Sequence, residues 1–223
     1  MYSFEKISNA IACKISLILE LDKEREEILA YGAFNLIHTV WSIFLIVLFG
    51  VLFNVLLYAL IISFTAAFLR KYSGGAHATS PNRCAIIGII IFDGFAIIVD
   101  KFIISANTIG LLIYAGLIFV FTHYIIYKYC PVDSPSKPIK NEETKQRLRK
   151  SSIRIIHVLA GMIIILFILY SNFKNIILLK SLICILIGLI WQTLTLTFPG
   201  HLIIKILDAF LRNMTALLKG GEV

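Results

Sequence analysis

VWSIFLIVLFGVLFNVLLYALIISFTAAFL, residues 40–69, runs for thirty residues without a charged side chain. As one helix it would be about 45 Å long, against a hydrocarbon core of about 30 Å. The chain must therefore tilt strongly there, break, or turn back as a re-entrant hairpin. Gly50 and Asn54 are the places that permit a break. Outward from this run, apolar blocks recur at about 85–99, 102–127, 155–170 and 176–198. Short polar punctuation separates them: Asp100–Lys101, a charged stretch over 128–154, and Ser171 to Lys174. Blocks of this length leave no polar face for water, which excludes a soluble helical domain. The expectation is an all-α, polytopic membrane protein of about six transmembrane or re-entrant segments.

Composition agrees. Of 223 residues 59% are apolar and 15% charged, and mean hydropathy is +0.89; a soluble domain runs near 25% charged. The net charge of +8 sits between the apolar blocks. That placement fits loops against an anionic lipid leaflet, or a site for an acidic peptide segment, rather than nucleic acid. Residues 3–30 predict a helix whose apolar face is Phe4, Ile7, Ile11, Ile15 and Ile18. It either lies in the interface or packs on the membrane domain. The organisation expected is an amphipathic cytoplasmic or interfacial segment over 1–34 and one helical membrane domain over 35–223. No cleavable signal peptide is expected. Charge bias puts the N-terminus, residues 70–84, the 128–154 loop and the C-terminal tail in the cytoplasm of a cell-membrane protein. An even number of crossings within 40–69 then follows, and two short segments are favoured there. Cys13, Cys84, Cys130 and Cys184 lie far apart without metal-ligand spacing, so neither a structural disulfide nor a metal or other cofactor is expected.

The chemistry concentrates in RKYSGGAHATSPNRC, residues 70–84. Cys84 is the available nucleophile and His77 the available base. On one unbroken helix, residues seven apart stand about 10 Å apart along the axis, beyond hydrogen-bond reach. A reactive pair therefore needs the chain to fold back. Gly74 and Gly75 permit that, and Pro81 fits the first turn of a new helix. Ser80 becomes the N-cap, Pro81 N1 and Cys84 N4, where the helix start favours negative charge and its first-turn N–H groups can hold an oxyanion. Arg70 and Arg83 add positive potential. Asp93, Asp100 and Asp133 are remote candidates to orient His77. Spacing alone leaves a structural role for both residues open.

These residues resemble the signature of the accessory gene regulator B family, membrane endopeptidases of Gram-positive quorum sensing. The likeness lies in the basic pair Arg70–Lys71, the aromatic Tyr72, Ser73-Gly74-Gly75, then His77 and Cys84. CPVDSPSKPI, Cys130 to Ile139, resembles a second landmark of the family, with Cys130 where a small residue is usual. The resemblance implies a cysteine endopeptidase with nucleophile Cys84 and base His77, supported by Arg70 and Gly75. It implies removal of the acidic C-terminal tail of a small propeptide and help in closing the rest into a thiolactone or lactone. It also implies a homodimer. With such a substrate, Lys137, Lys140, Lys145, Arg147, Arg149 and Lys150 are expected to hold the acidic tail, and interfacial burial the amphipathic leader. Two other classes remain: a small peptide exporter, which needs more polar residues within its spans, and a non-catalytic membrane scaffold, in which Cys84 and His77 are dispensable.

Overall fold

The computed structural model describes residues 2–132 and 141–220. Eight helices follow in order: α1 Tyr2–Leu19, α2 Lys23–Leu52, α3 Leu56–Ser73, α4 Pro81–Phe102, α5 Thr108–Tyr129, α6 Glu142–Phe173, α7 Ile176–Leu194 and α8 Phe198–Gly220. Five are long and apolar enough to cross a membrane: α2, α3, α5, α6 and α7. The chain is an all-α, multi-pass membrane protein. α4 is as long as α5, but carries Arg83, Asp93, Asp100 and Lys101.

The helix expected over 3–30 is two helices. Glu20 takes a left-handed conformation (φ 49°), and the Asp22 side chain accepts the Arg25 N–H at 2.8 Å, capping α2. The chain doubles back, so Phe4 reaches Trp41 with ring centroids 6.0 Å apart. The face of α1 packed inward is the small stripe Ser8, Ala12 and Ser16, not the isoleucines. Small residues let two helix backbones approach closely, and Ile7, Ile11 and Ile18 stay exposed, facing outward.

The break inside 40–69 falls at Phe53–Val55. Asn54 adopts φ 58°, and Val55 N–H bonds back to the Gly50 carbonyl at 2.8 Å. Asparagine tolerates the left-handed region better than most residues, which stops the helix there. The two segments are not both short. α2 has thirty residues because its charged first turns continue into the apolar run, whereas α3 has eighteen. Two other boundaries also differ from the charge dividers. α4 continues through Asp100 and Lys101, and α5 starts only where Asn107 accepts the Ile109 and Gly110 N–H groups. Lys101 therefore ends a helix rather than forming a turn. Much of the stretch expected as a 128–154 loop is the start of α6, capped by Asn141.

α7 is the hub. It packs against α3, α4, α5, α6 and α8, and buries Leu179, Leu182, Ile185 and Leu189 almost completely. A helix apolar on most of its faces belongs in the centre of a bundle. Gly188 brings α3 close: a Cβ there would stand 2.7 Å from Thr65 Cβ. At one end of this pair, Lys180 of α7 meets the Asp100 carboxylate at 2.7 Å. Asp93 is buried inside α4 beside Gly50, with neither oxygen hydrogen-bonded among the described residues. At the other end of α7 the polar run Gln192–Thr197 makes a tight turn into α8, and there the site is built.

Candidate active site

α3 ends at Ser73 because two glycines follow it in conformations that L side chains rarely adopt: Gly74 at φ 71° and Gly75 at φ 135°. Space forbids side chains as well. A Cβ on Gly74 would strike the Val132 carbonyl, and one on Gly75 would stand 2.6 Å from Thr195 Oγ1. The connection that follows is tied down along its backbone. Val132 N–H donates to the Ser73 carbonyl at 2.9 Å, and Ala76 N–H to the Thr195 carbonyl at 3.0 Å. Gln192 Nε2 donates to Ser73 Oγ at 3.0 Å and to the Gly74 carbonyl at 2.8 Å. The Arg70 guanidinium, on the last turn of α3, donates to the Ala76 carbonyl. The residue before His77 is thus held by its N–H from the turn after α7 and by its carbonyl from the end of α3.

α4 begins where the proline places it. Ser80 is at the N-cap with extended dihedrals (φ −129°, ψ 135°), Pro81 is at N1 and Cys84 at N4. The Ser80 hydroxyl makes no side-chain cap bond; its carbonyl accepts the Cys84 N–H at 2.9 Å. The Cys84 amide is therefore engaged. The first-turn N–H groups without an intrahelical carbonyl are those of Asn82 and Arg83. Cys84 is half-buried. Arg70 lies within electrostatic reach of both Cys84 and His77. The His77 side chain is exposed at its surface, yet the protein atoms crowded around it displace water and, with the Arg70 charge, lower its pKa to about 4. It is neutral at pH 7 and able to take a proton. No hydrogen bond joins Cys84 to His77 among the described residues.

Arg83 is committed elsewhere. Its Nε meets Asp208 Oδ1 of α8 at 2.6 Å, and its charge is compensated there. Of the carboxylates considered for orienting His77, Asp100 is committed to Lys180, Asp93 has no hydrogen-bond partner among the described residues, and Asp133 lies outside them.

The second sequence landmark meets the first in space. Val132 forms a parallel bridge with Gly74, and Cys130 is 1% exposed beneath it. Cys130 Sγ lies 3.3 Å from Ser152 Oγ of α6 and near the Tyr72 carbonyl. Burial raises the Cys130 pKa, against the smaller lowering effects of Ser152 and Arg149, which disfavours the thiolate. The basic residues expected to hold an acidic tail divide. Arg149 donates to the Cys130 carbonyl at 2.8 Å, and Lys145 pairs with Glu142 at 2.7 Å. Arg147 and Lys150 are exposed, while Lys137 and Lys140 lie outside the described residues. Gln192, Thr195, Thr79 and Asp208 were not singled out from the sequence. The available signal was the polar run at 192–197 closing an otherwise apolar helix.

The family model described as accessory gene regulator B matches residues 5–196. The chain belongs to the accessory gene regulator B family. It is 39% identical to a putative AgrB-like protein of Clostridium perfringens (strain SM101 / Type A) over 94% of this chain and 99% of that one. It is 22% identical to a putative AgrB-like protein of Halalkalibacterium halodurans over 98% and 96%. With the accessory gene regulator protein B of Staphylococcus carnosus it shares 31% identity over 59% of this chain and 65% of that one. No solved structure matches it significantly. The family match spans both glycines, His77, Cys84, Gln192 and Thr195, and stops before α8.

Proposed function

We propose that this family member is a membrane cysteine endopeptidase of quorum sensing, which removes the C-terminal tail of a small propeptide through Cys84 and promotes ring closure of the rest. The observation that carries the reading is the turn at Gly74–Gly75, which folds the chain back so that His77 and Cys84 both come within reach of the Arg70 charge.

Chemistry follows from that arrangement. Neutral His77 takes the Cys84 proton, and Arg70 stabilises the resulting negative charge. The thiolate attacks the scissile carbonyl, and the oxyanion turns toward the Asn82 and Arg83 N–H groups at the α4 start. Collapse breaks the C–N bond; His77 returns its proton to the departing amine, and the truncated peptide remains as a thioester on Cys84. His77, neutral again, then takes the proton of a thiol or hydroxyl within that peptide as that group attacks the thioester carbonyl and the bond to Cys84 Sγ breaks. The ring leaves, and Cys84 regains its proton from His77. Exchange of one thioester for another costs little free energy, whereas hydrolysis dissipates it, so exclusion of water favours the ring. The site faces the cytoplasm in this reading, with α4 as the sixth crossing and anionic lipids against the basic turns.

The test is Cys84→Ala. Co-expressed with a small peptide bearing an internal cysteine and an acidic C-terminal tail, the variant accumulates in the membrane and yields no truncated peptide. With wild-type enzyme and a peptide whose ring-forming residue is alanine, intact-protein mass spectrometry finds the truncated peptide on Cys84, released by hydroxylamine. Normal cleavage by purified Cys84→Ala protein would falsify the reading.

A further inference from the structure

Asp208 lies on α8 and is 5% exposed. Its Oδ1 accepts from Arg83 Nε at 2.6 Å, and its Oδ2 from Thr79 Oγ1 at 2.6 Å. Arg83 also donates to Thr79 Oγ1 at 2.6 Å, closing a three-membered network across about 125 residues of sequence. Thr79 is two residues beyond His77, and Arg83 immediately precedes Cys84. One carboxylate therefore holds both sides of the Pro81 turn: the loop that carries the base and the helix that carries the nucleophile. Burial raises the Asp208 pKa, but hydrogen bonds from Arg83 and Thr79 and the Arg83 charge outweigh it, and the net direction is down. The side chain stays ionised at neutral pH. On its outer side α8 leaves Ile206, Phe210, Met214 and Leu217 exposed, so only its inner side reaches the bundle.

We propose that Asp208 is a positioning residue, through which α8 fixes the first turn of α4 and hence the direction in which Cys84 meets a bound peptide. Among the described residues it makes no hydrogen bond or ion pair to Cys84 or His77, so it acts through Arg83 and Thr79. α8 lies beyond the family match, which ends at 196, so nothing in the shared signature assigns this role. The inference rests on Cys84 being the nucleophile.

Two readouts test it on the purified full chain in detergent. One is peptide processing, resolved into kcat and KM. The other is the rate of N-ethylmaleimide addition to Cys84 relative to the exposed Cys13, which needs no substrate. Asp208→Ala lowers kcat about a hundredfold with KM little changed, and it shifts the Cys84 to Cys13 alkylation ratio. Asp208→Asn, which keeps the shape, gives a smaller defect of the same kind and serves if the alanine variant does not accumulate. Arg83→Gln with Asp208→Asn works better than Asp208→Asn alone, because the double change leaves no unpaired guanidinium. Arg212→Gln, an exposed charge on the same helix, behaves as wild type. An unchanged kcat and alkylation ratio in both Asp208 variants overturns the proposal. So does a defect confined to KM, or simple additivity of the Arg83 and Asp208 changes. Activity in Cys84→Ala would instead remove the nucleophile assignment, while the alkylation ratio would still report whether Asp208 holds the turn.

Discussion

Between Ser73 and Ser80 the chain is tied through its backbone to α3, to α7 and to the segment after α5, and through the Thr79 hydroxyl to α8, whereas the basic turns opening α6 keep Arg147 and Lys150 on exposed side chains. Bond-making chemistry needs reacting atoms placed within a fraction of an ångström, and independent hydrogen bonds over-determine that placement. Capture of a charged tail needs only a field, which tolerates mobile side chains and is weakened by salt. The contrast implies that substitutions in the first region act steeply and singly, and those in the second gradually and in sum.

The steepest expected effect outside the reacting pair is at the glycines. Gly74→Ala forces a Cβ against the Val132 carbonyl in a left-handed conformation, so the loop must move. Activity falls about a hundredfold or more, while the helical far-UV spectrum remains. Wild-type turnover by this variant would mean that the loop is not held as described.

Gln192→Leu is next. The amide is fully buried, and its Nε2 serves Ser73 and the Gly74 carbonyl, although its Oε1 has no partner among the described residues. Leucine removes two bonds and leaves the Gly74 carbonyl with only the long Ser73 hydroxyl contact at 3.3 Å, at a cost of about 1–3 kcal/mol. Thermal unfolding in detergent moves to lower temperature, and processing falls about tenfold through misplacement of His77. Gln192→Glu, which keeps the shape but loses the donors, has a similar effect; full activity in both would disconnect α7 from the site.

How much of this the sequence disclosed depends on range. Cys84 at N4 was legible because Pro81 sets helix phase locally, and Gly74–Gly75 because only glycine suits such turns. The apolar blocks disclosed the membrane fold for the same reason: hydrophobic length is a property of adjacent residues. Helix ends were less legible. Lys101 and the basic residues of 142–154 read as turns when charge alone marks the boundaries, but helices continue through charges where an end reaches water. The tertiary straps were not legible at all. Nothing near Gln192 or Asp208 in the chain specifies that one meets Gly74 and the other Arg83, since those pairings span 118 and 125 residues.

A middle-sized effect is expected on pH dependence. His77 is depressed to about 4, first by partial loss of water to the surrounding protein and then by the Arg70 charge. A base must be unprotonated, so wild-type processing is lost only as pH falls through that value. Arg70→Gln removes the second cause and leaves the first, so the acid limb moves upward but stops short of the ordinary histidine value near 6.5. Loss of the Ala76 tie lowers the rate at every pH, so the position of the limb, not its height, is the informative quantity. A limb that stays in place would show that Arg70 acts on the loop alone.

The smallest expected effect separates the two regions most sharply. Arg147→Glu and Lys150→Glu reverse exposed charges that make no part of the loop scaffold. Each exposed pair contributes little, about a two- to fivefold change in the KM for an acidic-tailed peptide, with kcat unchanged. The two reversals together weaken binding further, and neutralising the tail erases the difference between variant and wild type. Raising salt should shrink the wild-type advantage in the same way, because both operate through a screened field. Arg149→Glu behaves differently. Its Nε holds the Cys130 carbonyl, next to the segment bonded to Ser73, so its reversal lowers kcat and resists rescue by tail neutralisation. If Arg149→Glu and Arg147→Glu gave the same salt-sensitive change in KM, the basic turns would be a uniform field, and the division drawn between scaffold and field would fail at Arg149.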